Sequence, residues 1–466
     1  MNFKQFYLGC LSHASYYLGS DGEAVIIDPQ RDVQQYIDQA EANGERIKYI
    51  IETHSHADFV SGHVELAAKT GAEIIYGERA NTQFPTHKVK DGDVLTVGAV
   101  ELTFRETPGH TPEGIVIIAK ETDGDADTDV GVPWKLFTGD TLFIGDVGRP
   151  DLIGSKGFTA AEMGGMLYDS LHEKILTLPD TTEVYPAHGA GSLCGKSLSK
   201  ETWSTLGNQR KFNYALQPMS KEDFVKIVAS NQPEVPAYFP KSAAKNLEGS
   251  SALTDIAKPR ELSSDEVRNF DGVVIDVRQN VEYGESHIPN AINIGLGGQF
   301  ASWGGTLIPI GTAIAIAADN ETQVEEAVTR LARVGHETVT GYVLLHNFDG
   351  ETKTVEQVPV EEVGELAKTE KYLQFVDVRR PAEHNAGHAA RSINISLDRL
   401  AIDVDRLDPT VPTYVICQGG YRSSIGTSIL ENAGFKAIYN VTGGTAAWID
   451  AGLETEVSTV VCASTR

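Results

Sequence analysis

The residues able to do chemistry fall in short phrases, and the first is Thr53-His54-Ser55-His56-Ala57-Asp58. It follows the apolar run Ile47-Lys48-Tyr49-Ile50-Ile51 and the acidic Glu52, so one strand end offers two imidazoles and a carboxylate. Strand alternation is expected to point His54 and His56 the same way. Three later phrases add donors: Thr107-Pro108-Gly109-His110-Thr111, Phe137-Thr138-Gly139-Asp140-Thr141 and Tyr185-Pro186-Ala187-His188-Gly189. Imidazoles and carboxylates delivered by several strand ends are the makings of a metal site. Spacing alone leaves open a zinc ion on His54, His56 and His110.

A second chemistry sits near the other end of the chain. The apolar strand Tyr414-Val415-Ile416 runs into Cys417, and Gln418-Gly419-Gly420-Tyr421-Arg422-Ser423 leads into a helix reaching toward Ala433. A cysteine placed before glycines and a helix N-terminus has backbone N–H groups and the helix dipole aimed at its sulfur, which favours thiolate and anion binding.

The elements that must position these residues are legible around them. Ala14 to Leu18 and Ala24 to Ile27 read as strands joined by Gly19-Ser20-Asp21-Gly22. Asp32 to Asn43 reads as a helix stopped by Gly44, and a second helix follows the first donor phrase from Gly62 to Lys69. Continued alternation of strands and helices predicts two mixed sheets with helices outside. From Asn231 the texture changes to Gln232-Pro233-Glu234-Val235-Pro236 and later Glu248-Gly249-Ser250-Ser251, which predicts a linker over 231–258.

Beyond it lies an internal repeat. Ile275-Asp276-Val277-Arg278 returns as Val376-Asp377-Val378-Arg379, His287 as His388 and Ala291-Ile292-Asn293-Ile294 as Ser392-Ile393-Asn394-Ile395, with Asp276 and Asp377 101 positions apart, as are the other pairs. Two α/β copies are expected, over 259–356 and 357–466, after a first domain over 1–230. Matching Gly335 to Gly434 sets Cys417 opposite Ala318 and Arg422 opposite Gln323, so the first copy lacks the nucleophile and is expected to be inactive, with a structural or docking role.

Composition sets outer limits. The 466 residues suffice for about three domains, and 39 basic against 65 acidic residues give a net charge of −26, which opposes nucleic acid and anionic lipid over most of the surface. The N-terminus MNFKQFYLGC has no secretory pattern and no stretch approaches a membrane span. Cys10, Cys194, Cys417 and Cys462 show no paired metal spacing and suit free thiols, so a cytoplasmic location is expected, with monomer and homo-oligomer both open.

The order and wording of the donor phrases resemble the metallo-β-lactamase fold over about the first half of the chain. The runs HADFVSGH, TPGHTPE, GDTLFIGDVGRPDL and YPAHGAGSLCGK resemble the persulfide dioxygenases in particular. The resemblance implies an αββα sandwich, α+β in class, and one ferrous iron per chain on His54, His110 and Asp140, with open positions for O₂ and a persulfide sulfur. His56, Asp58 and His188 would support that set from outside it, and Arg149, Tyr185, Cys194 and Lys196 would line the substrate pocket.

In dinuclear relatives of the glyoxalase II type a histidine follows the aspartate of the first phrase. Here Phe59 stands there, and a phenyl ring has no lone pair to donate, so one metal is expected. The second copy resembles a rhodanese, with Cys417 and Arg422 catalytic. Four residues separate them, where phosphatases of similar design have five. Together the resemblances imply oxidation of a low-molecular-weight thiol persulfide to sulfite, joined to sulfur transfer that makes or uses thiosulfate in sulfide detoxification. The identity of the thiol stays open, and the alternatives are a metal-dependent thioester hydrolase and a sulfur carrier without oxidase activity.

Overall fold

The strands Glu23–Ile27 and Ile115–Glu121 each contain four or more consecutive buried residues, the pattern of strands covered on both faces. The computed structural model describes residues 1–122, 134–152, 157–230, 232, 234–370 and 372–458; Cys462, Asn231 and Pro233 lie outside them. The chain divides into two units, Met1–Ile256 with Ala332–Gly335, and Ala257–Leu331 with His336–Arg466.

The first unit contains two six-stranded mixed sheets. Val25, Ile27, Ile51 and Ile75 of one sheet pack against Phe104, Ile115, Ile117 and Phe137 of the other in a shared core. The outer face of the first sheet is covered by Tyr36 and Ala40 of helix Gln34–Asn43 and by Leu66 of helix His63–Thr70. Leu167, Leu171, Phe224 and Val228 cover the second. These four layers are the expected αββα sandwich.

Register explains where the chemistry gathers. Strands Glu23–Ile27 and Arg46–Ile51 are parallel with Ile27 opposite Ile51, so Asp28 emerges beside Glu52 and Thr53. Strands Lys135–Gly139 and Glu183–Pro186 are also parallel, with Gly139 opposite Pro186, so Asp140 and His188 leave neighbouring strand ends. The first donor phrase is not itself strand. Arg46–Ile51 ends before it, so loop geometry rather than strand alternation aims His54 and His56.

The segment expected to be a linker contains helix Phe239–Glu248, whose Phe239, Ser242 and Asn246 are buried. Its proline-bearing start reads as linker, but Pro240 lies in the first turn, where a missing N–H costs nothing.

The second unit holds two five-stranded parallel sheets built alike. The repeat recurs down to individual hydrogen bonds. Asn293 donates its side-chain amide to the carbonyls of Asp276 and Arg278, and Asn394 does so to those of Asp377 and Arg379. Arg278 grips Asp276, and Arg379 grips Asp377, at 2.7 Å in both copies. Among the described residues no helix is long and apolar enough to cross a membrane.

Candidate metal centre and sulfur-carrying loop

His54, His110 and Asp140 come together as buried side chains, with one donor atom from each within 4.8 Å of the others. Nε2 of His110 lies 3.3 Å and Nε2 of His54 3.7 Å from Oδ2 of Asp140. The hydrogen bonds behind them fix the tautomers. Thr53 Oγ1 donates to Asp28 Oδ2, so it must accept from Nδ1–H of His54 at 3.0 Å. Nδ1–H of His110 donates to the Arg149 carbonyl at 2.9 Å. Both Nε2 atoms therefore present bare lone pairs to the same point.

The charge states agree. Burial lowers the pKa of both imidazoles, helped at His54 by neighbouring His56, which keeps them neutral. Burial works against the Asp140 carboxylate, yet His188 and His54 outweigh it and hold its pKa well below the usual range. Nε2 of His54 and Oδ2 of Asp140 are buried with no hydrogen-bond partner in the structure. Unpaired buried acceptors are costly, and a cation between them removes that cost. The donor set, two neutral imidazoles and a carboxylate, thus fits a divalent metal.

A ring of supporting groups surrounds this cluster. His188 bridges two acids, with Nδ1 2.7 Å from Asp140 Oδ1 and Nε2 2.7 Å from Asp58 Oδ2. Burial opposes its proton, but the two carboxylates raise its pKa well above the ordinary value. His56 turns its Nε2 to Asp28 at 3.1 Å and is likewise raised against burial. Gly148 passes so close that a Cβ would meet the Asp140 carbonyl at 2.0 Å and His110 Cβ at 3.0 Å, which only glycine allows.

In the second unit Cys417 is buried, and its sulfur accepts the Gly420 N–H at 3.1 Å and the Ser423 hydroxyl at 3.4 Å. Arg422 forms a two-point pair with Glu383, at 2.7 and 2.8 Å. The charged strut thus braces the loop from outside, while its inner hydrogen bonds come from the backbone and a hydroxyl. At the matching place in the first copy Ala318 replaces the thiol, and Gln323 and Asn320 close the turn on themselves.

Comparison with known proteins agrees with both geometries. Residues 8–188 match the model of the metallo-beta-lactamase superfamily, and residues 260–344 and 359–451 match that of the rhodanese-like domain. A metallo-beta-lactamase structure from Staphylococcus aureus subsp. aureus COL superposes with a TM-score of 0.65 at 33% identity, covering 74% of this chain and 98% of that one. The mitochondrial persulfide dioxygenase ETHE1 of Bos taurus is 34% identical over 222 residues, 46% of this chain and 75% of the relative. The human counterpart (Homo sapiens) is 32% identical over 224 residues, 46% and 76% of the two chains. The chain belongs to the persulfide dioxygenase family.

Within this persulfide dioxygenase fold the remaining expected residues part ways. Cys194 does reach the centre, in a buried group with Asp140 and His188, and burial together with Asp58 and Asp140 raises its thiol pKa. Arg149 is buried, its guanidinium paired with Asp151 at 2.7 and 2.8 Å and bonded to the Leu193 carbonyl, while its own carbonyl steadies His110. Lys196 is engaged at a helix end. Its ammonium donates to the carbonyls of Ile227 and Ser230, at the C-terminal end of helix Lys221–Ala229, where partial negative charge and free acceptors collect.

Tyr185 is engaged within its own sheet. Its ring stacks with Phe137 and Trp203, and its hydroxyl donates to Glu183, back toward the start of the strand and away from the end that carries His188. Three residues that the sequence reading missed belong to the centre. Asp28 orients Thr53; a carboxylate closing the strand parallel to the donor-bearing one was the available signal. His13, fully buried and with both ring nitrogens unpartnered, lies 4.1 Å from the Phe59 ring and 5.4 Å from that of His188, centroid to centroid. The third, Asn246, gave no signal in its polar surroundings.

Proposed function

We propose that this chain oxidises the outer sulfur of a low-molecular-weight thiol persulfide to sulfite at one iron on His54, His110 and Asp140. We further propose that Cys417 transfers sulfane sulfur to or from sulfite, forming or using thiosulfate in sulfide detoxification. The observation that carries the reading is the set of three convergent, buried donors, with His54 Nε2 and Asp140 Oδ2 unpartnered, in a chain of this family. In the overall reaction persulfide, O₂ and water give thiol, sulfite and protons. When bound, the iron supplies the redox-active centre at which sulfur and O₂ can be brought together.

The chain's own residues do the rest. Thr53 and the Arg149 carbonyl keep the His54 and His110 protons on Nδ1. His188 holds Asp140 Oδ1, which leaves Oδ2 facing the histidines. Cys194 sits in a buried group with Asp140 and His188, and Arg149, paired with Asp151, holds its carbonyl against His110. In the second rhodanese-like copy the Gly420 N–H and Ser423 hydroxyl stabilise negative charge on the Cys417 sulfur, and Arg422 fixes the loop through Glu383. Functionally the first unit runs through helix Phe239–Glu248, and the copy without a thiol is the scaffold of the sulfur-carrying one.

A thioester hydrolase is the competing reading, and Phe59 disfavours it because the second metal position lacks its usual imidazole. Metal analysis of anaerobically purified protein, beside O₂ uptake with glutathione persulfide, tests the proposal. One iron per chain with persulfide-dependent O₂ uptake is expected. Two zinc ions with thioesterase activity and no O₂ uptake would overturn it.

A further inference from the structure

Helix Phe239–Glu248 sends one side chain into the loop that carries the donors. Asn246 is fully buried, and its Nδ2 donates to the carbonyls of His56 and Phe59, both at 2.8 Å. Its Oδ1 accepts the Ser61 N–H at 2.8 Å. Two carbonyls need a donor and one N–H needs an acceptor, so a primary amide in this orientation satisfies all three, and a carboxylate cannot. The partners lie up to 190 positions away in sequence. Between them the three bonds span the segment that holds Asp58 and begins two residues after His54.

The strand Arg46–Ile51 has already ended, so bonds from outside set the course of the loop: the Val60 N–H donates to the Arg333 carbonyl at 2.7 Å, the Ser61 hydroxyl to the Pro29 carbonyl at 2.9 Å, and Asn246 adds three more. Neighbouring bonds keep the helix in place: the Gln83 N–H donates to the Leu247 carbonyl at 2.7 Å and the Leu253 N–H to Glu65 at 2.8 Å. Leu247 packs with Ile74, Tyr76 and Ala80. Docking and clamping are therefore done by adjacent residues of one helix, and substitution can separate them.

We infer that Asn246 is a positioning residue of the metal centre, fixing the backbone from His56 to Ser61 so that His54 and Asp58 keep their aim. The inference rests on the metal-centre reading above. Outer partners of metal ligands typically change metal affinity by about 10- to 100-fold when removed. Asn246→Ala in the full chain is therefore expected to speed loss of Co(II) to a chelator about ten-fold and to shift the visible absorption of the Co(II)-loaded protein, which reports ligand geometry. Asn246→Asp, which turns an oxygen on two carbonyls, should be at least as damaging.

Leu247→Ala removes docking contacts and keeps the amide, so it should leave both readouts at wild-type values. If Asn246→Ala folds poorly, Asn246→Ser reports the same two quantities in a milder background. A wild-type Co(II) spectrum and release rate in the Asn246 variants would overturn the inference, as would a Leu247→Ala protein that reproduces their changes. Full metal retention by His54→Ala would instead sink the metal-centre reading on which it rests.

Discussion

Asp28 holds Thr53 at two points, accepting the backbone N–H at 2.7 Å and the hydroxyl at 2.9 Å. Because that hydroxyl is spent on Asp28, it can only accept from His54, and the imidazole is locked with its proton on Nδ1. Asp28 reaches this position with φ at 52°, a left-handed conformation that aspartate tolerates better than most residues. Thr53→Val keeps the shape and removes the lock. Metal affinity, measured by chelator competition, should fall about 10-fold or more, and because Asp28 Oδ2 loses its partner the metal-free protein should also lose about 1–3 kcal/mol of stability.

His54→Ala removes one of three donors outright. Metal content and persulfide-dependent O₂ uptake should both be lost. Thiosulfate:cyanide sulfur transfer by the same protein should persist, since Cys417 belongs to the other unit.

Phe59 stands where a second metal position would need an imidazole. Its ring is buried between those of His13 and His56, at centroid distances of 4.1 and 4.5 Å. Phe59→His should place a lone pair beside Asp58 and His188 and raise stoichiometry from one metal toward two, read by elemental analysis.

Cys417→Ser should abolish sulfur transfer and leave metal content unchanged. Persistent transfer would move the nucleophile elsewhere, with Cys194 the first to examine.

The Glu383–Arg422 strut carries a pH signature. Burial raises the Glu383 pKa, but Arg422 overrides it and the net value is lowered. A lowered carboxylate pKa means stability fully present above the unfolded glutamate value, about 4.3, and lost as pH falls through the folded one. Denaturation of wild type and Glu383→Gln should therefore differ at neutral pH and converge in acid. A constant difference across that range would exclude the pair as its source.

What the sequence revealed follows from what is local. His54 and Asp140 follow apolar strands, His110 lies on a Pro-Gly turn, and the repeat preserves Asp, His and Asn at a fixed interval. Asp28 depends on the parallel register of two strands, which no phrase announces. Asn246 serves carbonyls 187 and 190 positions away from a helix whose surroundings read as linker. Lys196 and Tyr185 lay in the right phrases, but phrase membership does not say which way a side chain turns. The Lys196 ammonium bonds helix-end carbonyls, and the Tyr185 hydroxyl bonds Glu183 on the same face of its own strand.

The two rhodanese-like copies share one continuous core, in which Ile275, Ile294, Ile316 and Leu331 of the first are joined to Val376, Val415, Ile425 and Leu430 of the second. Helix Tyr421–Asn432, which begins at the sulfur-carrying loop, bonds across to the first copy through Ser424 to Asn293 and Tyr421 to the Gly295 carbonyl. Cooperativity follows from such a seam. The pair should melt as one body, and a chain shorn of the thiol-free copy would have much of that shared interior laid open to water. A change at the thiol-free turn is thus tolerable where removal of the copy that carries it is not.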